Sequence, residues 1–154
     1  MSDRPILICY DDSKGARHAI EAAAQLFPGR RAIVIDVAAP LTVAESFAAV
    51  GGVVSDFEEL NTEDALARAR VGAEHAREAG FAAEARADVD APTWDGVVAM
   101  ADEIDAGLIV VGSRGLTGAQ ELLKGSFSHD VAEHAGRPVL IVPPPRNDKG
   151  KSDQ

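Results

Sequence analysis

The sequence predicts an α/β domain: a single three-layer sandwich built on a five-stranded parallel sheet of Rossmann-like order 3-2-1-4-5, covered by helices on both faces. Three observations carry this. Short apolar runs such as Pro5–Tyr10 and Leu108–Val111 lack polar alternation, the mark of strands buried on both sides. Helical patterns separate the runs, as a parallel sheet with crossover helices requires. At 154 residues the chain holds one domain with a substantial core and is too short for two.

Each element has its own signal. Pro5–Tyr10 reads as the first strand. Ser13 can cap a helix whose Ala16, Ala19, Ile20, Ala23, Ala24 and Phe27 share one face, stopped by Pro28-Gly29. Ala32–Val37 is the second strand, followed by a small-residue loop from Ala38 to about Val54 with Gly51-Gly52 in it. Ser55-Asp56-Phe57-Glu58 has the capping-box pattern and opens a long polar-faced helix ending near Gly80. Ala82–Val89 forms a weaker third strand and Asp95–Asp105 the next helix, with Trp94 as its anchor. Leu108–Val111 is the fourth strand, Ser126 to about Ala135 a helix, and Val139–Val142 the last strand. Residues 1–145 make up the domain, and Pro143-Pro144-Pro145 closes it before a polar tail, 146–154, expected to be disordered.

Composition narrows the function classes. The formal charge of -10 disfavours nucleic acid and anionic membranes as partners. No apolar run approaches the roughly 20 residues of a membrane span. A strand beginning by Pro5 leaves no room for a secretory signal, and the lone Cys9 excludes an internal disulfide; both suit a cytoplasmic protein. A phosphate-bearing ligand on so acidic a chain must be held locally, by backbone dipoles and a placed cation.

Ligands of doubly wound sheets sit outside the carboxyl ends of the strands, where strand order reverses. Asp11 and Gly112 then face one another across that crevice. Gly112-Ser113-Arg114-Gly115 follows the fourth strand, and nine residues later Gly125-Ser126 stands where a helix begins. Glycines let backbone N–H groups approach an anion, and a helix N-terminus adds donors and a favourable dipole. Three glycines satisfying turn geometry would look the same in isolation. Here the first glycine ends a buried strand, Ser126 and Ser128 add hydroxyls, and Arg114 and Lys124 add cations.

In this constellation the chain resembles the universal stress proteins. Gly112-Ser113-Arg114-Gly115…Gly125-Ser126 matches that family's nucleotide signature without a gap. Ile6-Leu7-Ile8-Cys9-Tyr10-Asp11-Asp12-Ser13 is similar to its first strand and acidic turn, and Arg137–Val142 to its last strand. The resemblance covers roughly residues 4–143. It implies an adenine-nucleotide site: Asp11 at the adenine and ribose end, with Cys9 beside it, Val37 packing on adenine and bonding it through its backbone, and Val111 lining the same slot. Gly112, Arg114, Gly115, Gly125, Ser126, Phe127 and Ser128 would serve the phosphates. It further implies ATP as ligand, with Mg2+ or Mn2+ on the phosphates, and a homodimer. Asp12, where a glycine is common, and the extra Gly118 depart from the pattern.

Other constellations carry less. Adjacent Asp11 and Asp12 in a turn rarely converge on one metal or proton, and Asp12 is as good a candidate for a helix cap. Ser128-His129-Asp130 cannot form a relay, because successive helical residues point about 100° apart. His129 and His134 are five apart, a poor spacing for a zinc pair, and His18 and His75 lie on separate helices. Gly150-Lys151-Ser152 lacks the earlier glycine and the helix of a phosphate loop, and no G-x-G-x-x-G follows the first strand. No protein metal site and no catalytic residue is assigned.

The expected function is ATP binding by a cytoplasmic stress-response or regulatory protein. A slow ATPase and a nucleotide-free interaction module of the same fold are the alternatives, and ATP is not distinguished from cyclic AMP. The final strand is an edge in this strand order, and Val139-Leu140-Ile141-Val142 is too apolar to stand bare, so pairing with a second copy through residues 139–142 is expected.

Overall fold

The computed structural model describes residues 3–38, 57–87, 93–113 and 127–146. β1 (Ile6–Tyr10), α1 (Lys14–Leu26), β2 (Arg31–Asp36), α2 (Phe57–Ala79), β3 (Ala82–Arg86), α3 (Trp94–Glu103), β4 (Leu108–Gly112), α4 (Phe127–His134) and β5 (Val139–Val142) follow one another along the chain. The strands form one sheet in the order β3-β2-β1-β4-β5, as the sequence predicts. Every pairing is parallel: Ile6 to Tyr10 run beside Ala32 to Asp36, and Ile6 to Ile8 beside Leu108 to Val110. From β1 the chain winds outward to β2 and β3, then returns to the other side for β4 and β5. The switch point therefore lies between the carboxyl ends of β1 and β4.

Alternation along the strands splits the core in two. Ile6, Ile8, Tyr10, Val34 and Val110 face α1 and α2, meeting Ala16, Ala19, Ile20, Ala23, Ala73 and Ala76. Leu7, Cys9, Ile33, Ile35, Ile109 and Val111 face α3 and α4, meeting Val97, Met100, Ala101, Val131 and Ala135. Each fully buried branched side chain contributes about 1.5–3 kcal/mol. That is why β1, buried at all five positions, reads as a continuous apolar run.

Local chemistry sets the helix ends. Ser13 caps α1 by accepting from the Ala16 amide at 3.1 Å, as its position predicts. Phe27 closes the helix with its N–H on the Ala23 carbonyl, and Gly29 turns the chain at φ +73°. Thr93 caps α3, so that helix opens one residue before Asp95, with Trp94 packed against the second core. β3 ends at Arg86, short of Val89. Its residues are only partly covered, which accounts for its weak signal. The capping box before Phe57 and the tail beyond Arg146 lie outside the described residues, as does the 39–56 loop.

Candidate functional site

The carboxyl ends of β1, β2 and β4 bring the chemistry together. Tyr10 pairs with Asp36 at the end of the β1–β2 ladder, so Asp11 and Val37 each stand one residue beyond it. β2 ends at Asp36, but the Val37 N–H still donates to the Tyr10 carbonyl at 2.8 Å. Gly112 ends β4 opposite Val142, and the Ser113 N–H donates to the Val142 carbonyl at 3.0 Å.

Strand parity decides which way each side chain goes. Cys9, Val37, Val111 and Phe127 all belong to the core on the α3/α4 side, and Asp11 stands one residue beyond the end of β1. Asp11 is 8% exposed; its Oδ1 accepts the Ser13 N–H at 3.0 Å and the Ser13 hydroxyl. Ser128 is buried in the first turn of α4. Of the site residues expected from the sequence, Cys9, Val37, Val111 and Phe127 border the α3/α4 core, Asp11 and Gly112 stand at the carboxyl ends of β1 and β4, and Ser128 is buried in the first turn of α4. Arg114, Gly115, Gly125 and Ser126 lie outside the described residues, as does Gly118.

The Cys9 thiol is pushed far up, first by burial and then by the neighbouring Asp11 carboxylate. It stays protonated and offers an apolar wall rather than a nucleophile.

Asp12 corrects one expectation. It does not cap α1; Ser13 does. Asp12 sits at φ +64°, in the left-handed region, which explains why glycine suits this position. Its Oδ1 accepts from the Tyr10 hydroxyl at 2.8 Å and from Arg17 at 3.0 Å, on the α1/α2 side. Arg17, then Tyr10, hold its carboxyl below the usual aspartate value. Its charge is therefore met by Arg17 on the α1/α2 side of the sheet.

Two residues went unnoticed in the sequence. Asp36, 3% exposed, is gripped by Arg68 of α2 through two bonds, Nε to Oδ1 and Nη2 to Oδ2, each 2.9 Å. Burial pushes the Asp36 carboxyl up and Arg68 opposes the shift. A carboxylate inside the apolar run Ala32–Val37 was the available signal, since such a group needs a buried partner. At the crest of the sheet, Asp12 and Asp36 are thus each matched by an arginine on the α1/α2 side. Asp11 is held by Ser13 at the N-terminus of α1.

The histidines divide among structural roles. His134 of α4 stacks on Trp94 of α3 at 4.0 Å between ring centroids, tying the two helices, and His129 lies beside Glu133. His75 of α2 packs near Tyr10 at 6.2 Å. Among the described residues no helix is long and apolar enough to cross a membrane.

Comparison with known proteins agrees with this arrangement. The model of the universal stress protein family matches residues 3–143. The universal stress protein YxiE of Bacillus subtilis (strain 168) is 52% identical over 42 residues, which is 27% of this chain and 28% of that protein. A universal stress protein solved in complex with cAMP superposes with a TM-score of 0.62 at 23% identity, over 92% of this chain and 98% of that one. The universal stress protein from Archaeoglobus fulgidus, solved in complex with dAMP, gives 0.57 at 22% identity, over 90% and 97%. At these identities the structures speak for the fold. With the family model spanning nearly its whole length, the chain belongs to the universal stress protein family.

Proposed function

We propose that this protein binds an adenine nucleotide, ATP carrying Mg2+ or Mn2+, across the carboxyl ends of β1, β2 and β4, and acts as a cytoplasmic regulatory protein of the stress response. The observation that carries the reading is the placement of Cys9, Val37, Val111 and Phe127 on one face of the sheet, with Asp11 and Gly112 at the carboxyl ends of β1 and β4. This donor set fits a nucleoside: an apolar slot, a carboxylate for ribose hydroxyls, and a backbone carbonyl for the base. Arg114, Gly115, Gly125, Ser126 and Ser128 would hold the phosphates. Two neighbours of the same fold were solved with adenine nucleotides, which supports adenine as the base.

The binding unit is residues 1–145. A second copy joins it through β5, whose Ile141 is 39% exposed on the edge of the sheet. Ile141→Lys should convert a dimer to a monomer in light scattering without loss of fold; a wild-type monomer at micromolar concentration overturns this part.

Thermal unfolding with Mg-ATP tests the whole reading. At ATP near 100 times Kd, binding should stabilise the fold by about 2.7 kcal/mol. No shift at millimolar Mg-ATP, with no adenine nucleotide found by mass spectrometry of the purified protein, removes it.

A further inference from the structure

Asp36 reaches the proposed site through the backbone. Its Oδ1 accepts the Ala38 N–H at 3.3 Å as well as Arg68 Nε. That N–H belongs to the peptide joining Val37 to Ala38, and the described residues contain no cis peptide. In a planar trans peptide the N–H and C=O point in opposite directions. With the N–H drawn toward the Asp36 carboxylate, on the α2 side, the Val37 carbonyl is turned toward the face that carries Cys9 and Val111. The Val37 N–H itself is spent on Tyr10. At this point the strand end therefore presents an acceptor and no donor.

We propose that Asp36 and Arg68 form a positioning pair that aims the Val37 carbonyl at the base and selects 6-aminopurine over 6-oxopurine nucleotides. This deepens the nucleotide reading above and rests on it. An exocyclic amine donates to that carbonyl, whereas a 6-oxo group opposes it acceptor to acceptor. The pair is suited to the task because both carboxylate oxygens are held by the planar guanidinium, which stops the carboxylate rotating away from Ala38. Arg68 is 28% exposed at its side chain and Asp36 3%, so the carboxylate has protein rather than water for company.

The test compares Kd for ATP and for inosine triphosphate by calorimetry on the full chain. Wild type should favour ATP. Asp36→Ala with Arg68→Met removes both charges together and leaves no buried charge unpaired. Its preference for ATP should fall by about tenfold, the worth of one aimed hydrogen bond, through weaker ATP binding and, as the acceptor–acceptor repulsion is relieved, tighter inosine triphosphate binding. Asp36→Asn with Arg68→Met keeps an oxygen for the Ala38 N–H but no guanidinium to hold it, and should restore only part of the preference. If the Ala/Met variant does not fold, Arg68→Lys, which keeps charge without the two-point grip, should lose about threefold of the preference. An unchanged preference, or equal loss for both nucleotides, overturns the positioning role. A wild type that binds both nucleotides equally overturns it too while leaving the nucleotide reading standing. A wild type that binds neither overturns that reading and this proposal with it.

Discussion

Gly72 of α2 lies directly against the Tyr10 ring: a Cβ at position 72 would stand 2.7 Å from both Cγ and Cδ1 of Tyr10, and 2.8 Å from Cγ1 of Val34. The contact follows from a seam of small buried residues, Ala69, Gly72, Ala73 and Ala76, that lets α2 approach the sheet closely. It also fixes Tyr10, whose hydroxyl supports Asp12 in the β1–α1 turn. Gly72→Ala gains about 1 kcal/mol of helix propensity. Against this stands a ring and a branched side chain with no room to move, and overpacking of this kind costs about 1–3 kcal/mol. The expected net result is a loss of about 1 kcal/mol, and Gly72→Val should lose more, both read as a lower urea midpoint. A midpoint unchanged or raised in Gly72→Ala would show that α2 can slide.

Asp12 gives the fold an acid-sensitive contact. Its carboxyl is held below the ordinary value of 3.8 by Arg17 and Tyr10. The lowered folded value means that its contribution is present above about pH 4 and is lost as pH falls through that lowered value. Asp36 acts in the opposite sense. Burial raises it, so its favourable contribution is full below 3.8 and disappears as pH rises through its raised folded value. Asp12→Asn should therefore flatten the decline of stability below about pH 4, when urea midpoints of variant and wild type are followed from pH 6 to 3. Parallel curves would show that the Arg17 contact contributes nothing. The pair is exposed, so added salt should shrink the difference.

Arg137 fastens the end of α3 to the start of β5. Its Nη1 donates to the Ala101 carbonyl at 2.6 Å and to the Ala106 carbonyl at 3.1 Å, Nε donates to the Ala135 carbonyl at 3.2 Å, and Nη2 meets Asp102. Ala101, Ala106 and Ala135 are buried; the Ala101 carbonyl also accepts the Ala106 N–H at 2.8 Å, and Arg137 adds a donor to all three carbonyls where the helices run out of partners. Arg137→Ala should cost about 1–3 kcal/mol, most of it from the Ala106 and Ala135 carbonyls losing this donor, since Ala101 keeps the Ala106 N–H. Arg137→Lys should recover less than half, because a single ammonium cannot reach three carbonyls on separate segments. Equal stability of the lysine variant and wild type would mean that charge, and not the fork, is what matters.

How much of this was legible depends on how far apart the partners lie in the chain. β1 and β4 were readable because burial on both faces leaves no choice but apolar residues, as in Ile109–Val111, whereas β5 was readable from its apolar run although Ile141 is exposed at the edge. Ser13 was readable as a cap because its partner, the Ala16 amide, is three residues away. Asp11 and Val37 were reached through the family resemblance and the strand order, which place them side by side. Asp12 stood beside Ser13 as a second cap candidate because a left-handed backbone cannot be read from a residue type that also caps helices. The Asp36–Arg68 grip, the Gly72–Tyr10 contact and the carbonyls met by Arg137 join residues 32 to 62 positions apart, or 31 and 36 for Arg137. No local pattern announces such pairs; they exist only once α2 and α3 have docked. The expected phosphate residues Arg114, Gly115, Gly125 and Ser126 remain expectations from sequence alone.

Ser13 couples the stability of the turn to the proposed ribose contact. Its hydroxyl donates to Asp11 Oδ1 while accepting the Ala16 N–H at 3.1 Å, so one atom both caps α1 and steadies the carboxylate. Ser13→Ala removes both functions at once. Loss of the cap should cost about 1 kcal/mol. Asp11 would lose the hydroxyl while keeping the backbone N–H of residue 13, and would gain rotational freedom, so ATP affinity should fall about fivefold. Ser13→Thr preserves the hydroxyl and should keep both quantities close to wild type. Calorimetric titration with Mg-ATP beside urea unfolding separates the two effects. A Ser13→Ala variant that loses stability and binds ATP as tightly as wild type would show that Asp11 needs no help from the cap. A variant that weakens ATP and cyclic AMP alike, while dCMP stays unaffected, would place the effect at the nucleoside end where Asp11 and Val37 meet.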